Sequence, residues 1–275
     1  QLENPNEPVW QDAKIVRDGT AILHNVCDVV DHDFSKAFLL TVNGNGTELQ
    51  RVNASATHHS VDTIDENSLV SIEYDVRETS EYGKVAGDTV VLFVDGEREE
   101  LLSTFDVLHP SPITEMWDHG FFPNAHDWTH ANAIRWYPEF DSLLLTIPGL
   151  NSIWSIAMDG TINAVYLGRF TSAEPYEQGP LYQNNPYPIV TGGIFDMPHG
   201  ASLDDSGRLW VLSNGLGNEA ESTAQGYEIT NDEMALIQEI PVPIEGARTA
   251  GLGSVEFLEE TGSVLVNWGI LGVLE

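Results

Sequence analysis

The chain has 275 residues, 41% of them hydrophobic, which is enough for a sizeable core and for a single undivided all-β domain. Asp and Glu number 43 against 11 Lys and Arg, a formal charge of -32. Such a surface repels nucleic acid and anionic membranes, both of which need a basic footprint. No run of about 18 uninterrupted apolar residues marks a transmembrane helix.

The acidic residues are spread along the chain, as in a solvated surface adapted to brine or sea water, where ions screen the repulsion. Gln1 suits a processed, exported chain. Asn45-Gly46-Thr47 and Asn53-Ala54-Ser55 fit the glycosylation sequon. Cys27 is the one cysteine, so no internal disulfide forms; its neighbours Val26, Val29 and Val30 predict a buried thiol.

Strand signals dominate. Ala13 to Leu23 is strand-like, and a poor copy of a repeating unit starts near Asn25 and passes through Phe38-Leu39-Leu40 to Val52. Val61 to Leu108 fits a fuller unit. Residues 130–168 parse completely: strands Ala131 to Trp136, Ser142 to Ile147, Ser152 to Ala157 and Thr161 to Leu167, with an Asp159-Gly160 hairpin turn. Pro175 to Gly193 reads as a long loop over one face. Ala201 to Val242 is a further unit, within which Asp232 to Gln238 reads as helix or strand, and a partial one starts at Gly253. Four antiparallel strands in about 40 residues make a propeller blade.

The expected fold is therefore all-β, a single propeller domain over 1–275 with four-stranded antiparallel blades. About five repeats are countable, six if the segment between Leu167 and His199 hides one. The unmatched ends predict that the N- and C-terminal strands pair to close the ring.

Each unit opens on a similar phrase. His59-Ser60-Val61, His130-Ala131-Asn132 and His199-Gly200-Ala201 each precede an acidic turn and a second apolar strand. Gly253-Ser254-Val255 does so without a histidine. First strands of blades line the central channel, so His59, His130 and His199 are expected to converge there. His58 is expected to face the other side of its strand.

Asp127-Trp128-Thr129-His130-Ala131-Asn132-Ala133-Ile134, then Leu143 to Thr146, Asn151 to Ile156 and Gly160 to Gly168, resembles the arylsulfotransferase family. Pro198 to Leu203 followed by Leu209 to Gly215 is similar to that family's next phrase, and Val264 to Gly269 to a later one. The resemblance covers roughly 55–275. It implies a six-bladed propeller, usually periplasmic or exported. The implied activity is sulfuryl transfer from an aryl sulfate to a phenol without phosphoadenosine phosphosulfate.

It further implies catalytic roles for His130, with Asn132 beside it, and for His199. An arginine is implied after Asn214-Gly215, where this chain has Leu216-Gly217-Asn218-Glu219. A sulfuryl-carrying histidine is implied in the blade from Gly253 to Glu275, which has none. Arg248 is the candidate substitute cation. His59, Trp128 and Asn214 are candidate substrate contacts, and Trp117, Phe121, Phe122 and Trp136 are further candidates to hold an aryl ring.

Two other readings stay open. Three convergent imidazoles suit zinc, iron or copper, with Asp127 as a further ligand. Asp31-His32-Asp33 and Asp204-Asp205-Ser206-Gly207 faintly resemble calcium loops but lack the full ligand spacing. Alternatively, the propeller is a non-catalytic platform for a ligand or a protein partner. No cofactor is otherwise expected.

Overall fold

The computed structural model describes residues 9–15, 21–27, 37–112, 124–169, 171–215, 221–230 and 233–275, with side chains described from residue 37 onward. Trp117, Phe121, Phe122 and the Asp31-His32-Asp33 motif lie outside these residues, as does the side chain of Cys27.

The protein is an all-β propeller of antiparallel sheets laid out in chain order. The first sheet holds β1 (Val9–Ile15), β2 (Ala21–Cys27), β3 (Phe38–Asn43) and β4 (Glu48–Asn53). The second holds β5 (Thr57–Thr63), β6 (Ser68–Thr79), β7 (Gly83–Val94) and β8 (Glu97–Ser103); the short β9 (His126–Asp127) runs parallel to β7. The third holds β10 (Ala133–Tyr137), β11 (Ser142–Ile147), β12 (Ser152–Ile156) and β13 (Ile162–Leu167), with β14 (Ile189–Val190) added in parallel. The fourth holds β15 (Pro198–Leu203), β16 (Leu209–Ser213), β17 (Thr223–Ile229) and β18 (Met234–Pro241). The fifth pairs β19 (Ser254–Leu258) with β20 (Ser263–Asn267).

The period of two along the central strands explains the stacking. In β11, Leu143, Leu145 and Ile147 face the core shared with the second sheet, while Leu144 faces the core shared with the fourth. In β7, Val90 and Leu92 face the third sheet, and Val91 and Phe93 pack with Leu39 and Val52 of the first. In β16, Leu209 and Val211 face backward, and Trp210 and Leu212 face the fifth sheet. Strands buried on both faces read as continuous apolar runs, and β11 is buried at every position.

First strands of successive sheets touch: β5 against β10, β10 against β15, and β15 against β19. This arrangement brings their N-terminal residues together. The segment expected to be a long loop carries the helices α1 (Glu174–Glu177) and α2 (Pro180–Asn184) as well as β14, and contributes no further four-stranded sheet among the described residues. Of the stretch read as helix or strand, Met234 to Gln238 lies on strand β18, and Asp232 lies outside the described residues.

At the N-terminus the described ladder holds more strand than the sequence offered. β1 is paired with β2 from Val9↔Cys27 to Ile15↔Ile22, which completes a four-stranded sheet from N-terminal residues alone. β19 and β20 form a sheet of their own, and a pairing of N- with C-terminal strands is not among the described ladders. The expectation undercounted the N-terminal strands because Val9–Ile15 carries Gln11, Asp12 and Lys14 and lacks a clean apolar alternation.

Candidate functional site

The site grows out of an irregularity at the start of the first strands. In β5, His58 pairs with Ile72 and Val61 with Ser71, so His59 and Ser60 bulge out of the ladder. In β15, His199 pairs with Leu212 and Ser202 with Trp210, leaving a bulge at Gly200-Ala201. The bulge residue is left-handed each time: φ is 50° at His59 and 49° at Gly200, and His130, just before β10, has φ 51°. Positive φ is uncommon for residues other than glycine, although histidine tolerates it better than most. Such conformations concentrate at functional sites.

The repeat is therefore offset by one residue from its sequence alignment. His59 and His130 share the left-handed position, and its third occupant is Gly200. His199 stands one residue earlier, level with His58 on its strand. Gly200 has a steric reason: a Cβ there would lie 2.4 Å from the Cβ of Ser254 in the next sheet.

The bulge also overturns the expectation that His58 and His59 face opposite ways. Their rings meet at 5.0 Å between centroids, and their Nδ1 atoms are 2.7 Å apart. Strand alternation fails across a bulge because the extra residues re-aim the side chains. The His59 ring in turn meets the His130 ring edge-on, 4.8 Å away. His130 Nδ1 lies 2.6 Å from Asp127 Oδ2. His58 is fully buried, stacks on Tyr74 at 3.6 Å and places Nε2 2.9 Å from Asp88 Oδ1, in contact though off the line of a hydrogen bond. Asp88 Oδ2 accepts from Thr129 Oγ1 and from the Ala131 N–H, both at 2.6 Å. Two buried carboxylates thus bracket three imidazoles.

The environments drive these imidazoles apart in basicity. Burial works against a proton on His130, but the hydrogen bond and charge of Asp127 outweigh it, and its pKa rises above the ordinary histidine value. Burial, reinforced by the neighbouring His130, His58 and His199, holds His59 well below that value. Burial also lowers His58, against the opposing pull of Asp88. His199 is pushed down to about 4, first by burial and also by His130, although the Met197 carbonyl and the Asn214 amide favour its proton.

His199 Nδ1 lies 3.2 Å from the Met197 carbonyl oxygen. A carbonyl can only accept, so Nδ1 carries the proton and the lone pair is on Nε2.

The other expected residues fall into two groups. Asn132 and Asn214 frame the site. Asn132 Nδ2 donates to the Pro198 carbonyl at 3.1 Å, tying the third sheet to the start of β15. Asn214 Nδ2 donates to the carbonyls of Thr249 and Leu252, at 2.8 and 3.2 Å. In both residues Oδ1 is a buried acceptor without a well-formed hydrogen bond.

Arg248 and Trp128 are placed otherwise. Arg248 donates to the carbonyls of Asn214 (3.2 Å) and Gly215 (2.7 Å), so it braces the turn that carries them. Trp128 is 1% exposed and packs against Phe105, 5.1 Å away, within the core.

His58, Thr129 and Asp88 were not anticipated at the site, and Asp127 only as a metal ligand. Asp88 carries a signal: it is the one acid inside the fully buried stretch Val85–Phe93 of β7. A buried charge requires partners.

Among the described residues no three His, Cys, Asp or Glu side chains are arranged to hold a metal ion. The calcium-like loop at Asp204 is a turn filled by protein donors. Its carboxylate accepts from the Ser206 and Arg208 N–H groups, from Arg208 Nε at 2.6 Å and from Trp210 Nε1 at 3.2 Å. None of the described helices is long and apolar enough to cross a membrane.

Residues 19–166 match the model of the family described as Arylsulfotransferase (ASST). No curated protein matches the chain by sequence. Several solved structures share its fold. A hypothetical selenium-binding protein from Sulfolobus tokodaii superposes with a TM-score of 0.54 at 9% identity, covering 95% of this chain and 58% of that one. A Bacteroides caccae protein of unknown function gives 0.52 at 10% identity, covering 95% and 71%. Kuenenia stuttgartiensis hydrazine synthase gives 0.51 at 11% identity, covering 97% and 58%.

Proposed function

Because the chain belongs to the arylsulfotransferase family, we propose that it moves a sulfuryl group from an aryl sulfate to a phenol, without phosphoadenosine phosphosulfate. The observation that carries this reading is the buried Asp127–His130 contact at 2.6 Å, beside two imidazoles held neutral. Titratable groups whose environments separate their pKa values divide naturally into acid and base.

His130, made more basic by Asp127, donates to the departing phenolate as the S–O bond breaks. Its positive charge also stabilises the sulfate oxygens, a role the implied arginine does not fill here. His199 is neutral at pH 7 with its lone pair on Nε2, and it forms the S–N bond. A second phenol then takes the sulfuryl group as that S–N bond breaks. Asn132 and Asn214 steady the backbone around the histidines through their amide donors, to Pro198 and to Thr249 and Leu252. The protein is exported, as is usual for the family, and its substrates are small aryl sulfates and phenols.

The test is turnover of a chromogenic aryl sulfate with added phenol. Wild type should release phenol, and His130→Ala should lose that activity. Equal release by both would leave the alternative of a non-catalytic propeller that binds a ligand or a partner protein. The absence of a histidine from Gly253 to Glu275 favours that alternative.

A further inference from the structure

Asp88 and His58 have no part in the transfer just described, yet they are almost wholly buried, at 1% and 0% exposure. Taking charge and imidazole so far from water is costly unless each is matched to partners. Their connections run in one direction. Asp88 Oδ2 is occupied by two donors, the Thr129 hydroxyl and the Ala131 N–H, so Oδ1 is the atom that faces His58 Nε2. An ionised carboxylate can only accept, which puts the His58 proton on Nε2. His58 Nδ1 then holds a lone pair. Across the 2.7 Å contact, His59 Nδ1 must be the donor.

We propose that Asp88 and His58 are positioning residues that fix His59 as its Nδ1–H tautomer, so that its lone pair is on Nε2 and takes the proton of the acceptor phenol. In this step the phenol oxygen bonds to sulfur, the bond from sulfur to His199 Nε2 breaks, and the phenol proton passes to His59 Nε2. His59 hands that proton to His130, whose ring it meets at 4.8 Å, and His130 is restored as the acid for the next donor. The depressed basicity of His58 and His59 agrees with both rings being neutral before the phenol arrives. The Tyr74 ring, parallel to His58 at 3.6 Å, keeps the His58 ring from turning.

The tautomer assignment stands on contacts alone, whereas its consequence for phenol sulfation rests on the sulfuryl-transfer reading. The experiment separates the two. Full-length protein labelled with ¹⁵N at histidine is examined by two-bond ¹H–¹⁵N correlation, which distinguishes protonated from bare ring nitrogens. Wild type should show His59 with Nδ1 protonated and Nε2 bare.

In Asp88→Asn the amide oxygen stays with Thr129 and Ala131, and the amide NH₂ faces His58. Its donation should move the His58 proton to Nδ1 and invert both rings, leaving His59 Nε2 protonated. His58→Asn, whose amide can reach the His59 Nδ1 proton, should keep the wild-type His59 pattern and serves if Asp88→Asn does not fold. In rapid-mixing assays Asp88→Asn should keep the first burst of phenol release from the donor and lose steady-state transfer to the acceptor by about 100-fold. A protonated His59 Nε2 in wild type, or an uninverted pattern in folded Asp88→Asn, overturns the assignment. Inverted tautomers with unchanged steady-state transfer overturn the role in phenol activation. A wild type with the expected tautomers and no turnover sinks the sulfuryl-transfer reading and leaves the assignment intact.

Discussion

The second and fourth sheets present the same backbone device with different chemistry. Each opens on a bulge whose residue takes φ near 50°. In the second sheet that residue is His59, reached from behind by His58 and Asp88. In the fourth it is Gly200, and the preceding His199 leans on a carbonyl and an amide instead of a carboxylate. The difference traces to the neighbouring sheet. At Gly200 the Cβ of Ser254 closes the space a side chain would fill, whereas His59 meets the ring of His130. A repeated bulge fixes where the chain turns inward. What sits there is decided by how closely the next blade approaches.

The sharpest way to break the comparison is to remove His130, whose basicity Asp127 raises. His130→Ala should lower turnover of an aryl sulfate by about 10²- to 10⁴-fold, the usual range for a lost acid or base. A change below about threefold in the chromogenic assay would end its catalytic assignment.

Filling the glycine position tests the steric half of the argument. Gly200→Ala should cost about 3 kcal/mol in urea unfolding, because it combines a 2.4 Å contact with a left-handed φ. An unchanged midpoint would show that the seam between the fourth and fifth sheets gives way easily.

The acid limb of stability sharpens the contrast between His199 and His130. The pKa of His199 is about 4 in the folded protein, below the usual value of about 6.5. Its stabilising contribution is complete above about pH 6.5 and is lost as pH falls toward 4, by about 3 kcal/mol in all. Chemical denaturation across that window should therefore be flatter for His199→Gln than for wild type. His130 has the opposite sign. Its raised pKa supplies stability below about pH 6.5 that disappears as pH rises through the folded value. Asp127→Asn should lower the His130 titration midpoint measured by NMR.

The smallest effect concerns Trp128. Trp128→Phe should cost of order 1 kcal/mol in stability through looser packing and leave the KM for aryl sulfate within about twofold. A larger KM effect would return that ring to the substrate.

The strands of residues 130–168 were readable because each is short, apolar and bounded by a turn residue with a clear conformational task. Gly160, for example, has φ 82° and would set a Cβ 2.5 Å from the Leu101 carbonyl oxygen. The same reading found His59, His130 and His199 from a repeated phrase. It missed their offset because a bulge changes the phase of a strand without changing its composition. It missed Asp88 because that carboxylate reaches Thr129, 41 positions away, by packing between sheets. It missed the partnership of His58 with His59 because period-two reasoning sends adjacent side chains to opposite faces. The carbonyls of Asn214 and Gly215 as partners of Arg248 were not legible either, because backbone acceptors leave no mark in the sequence.

Asp88 divides its oxygens between two blades, one toward His58 of its own sheet and the other onto Thr129 and Ala131 at the threshold of the next. One carboxylate is therefore at once a mortise between neighbouring blades and the anchor of the imidazole row. Any breathing motion that parts these blades must also release the imidazoles, so deuterium uptake at the Ala131 amide would act as a gauge of how often the row falls out of alignment.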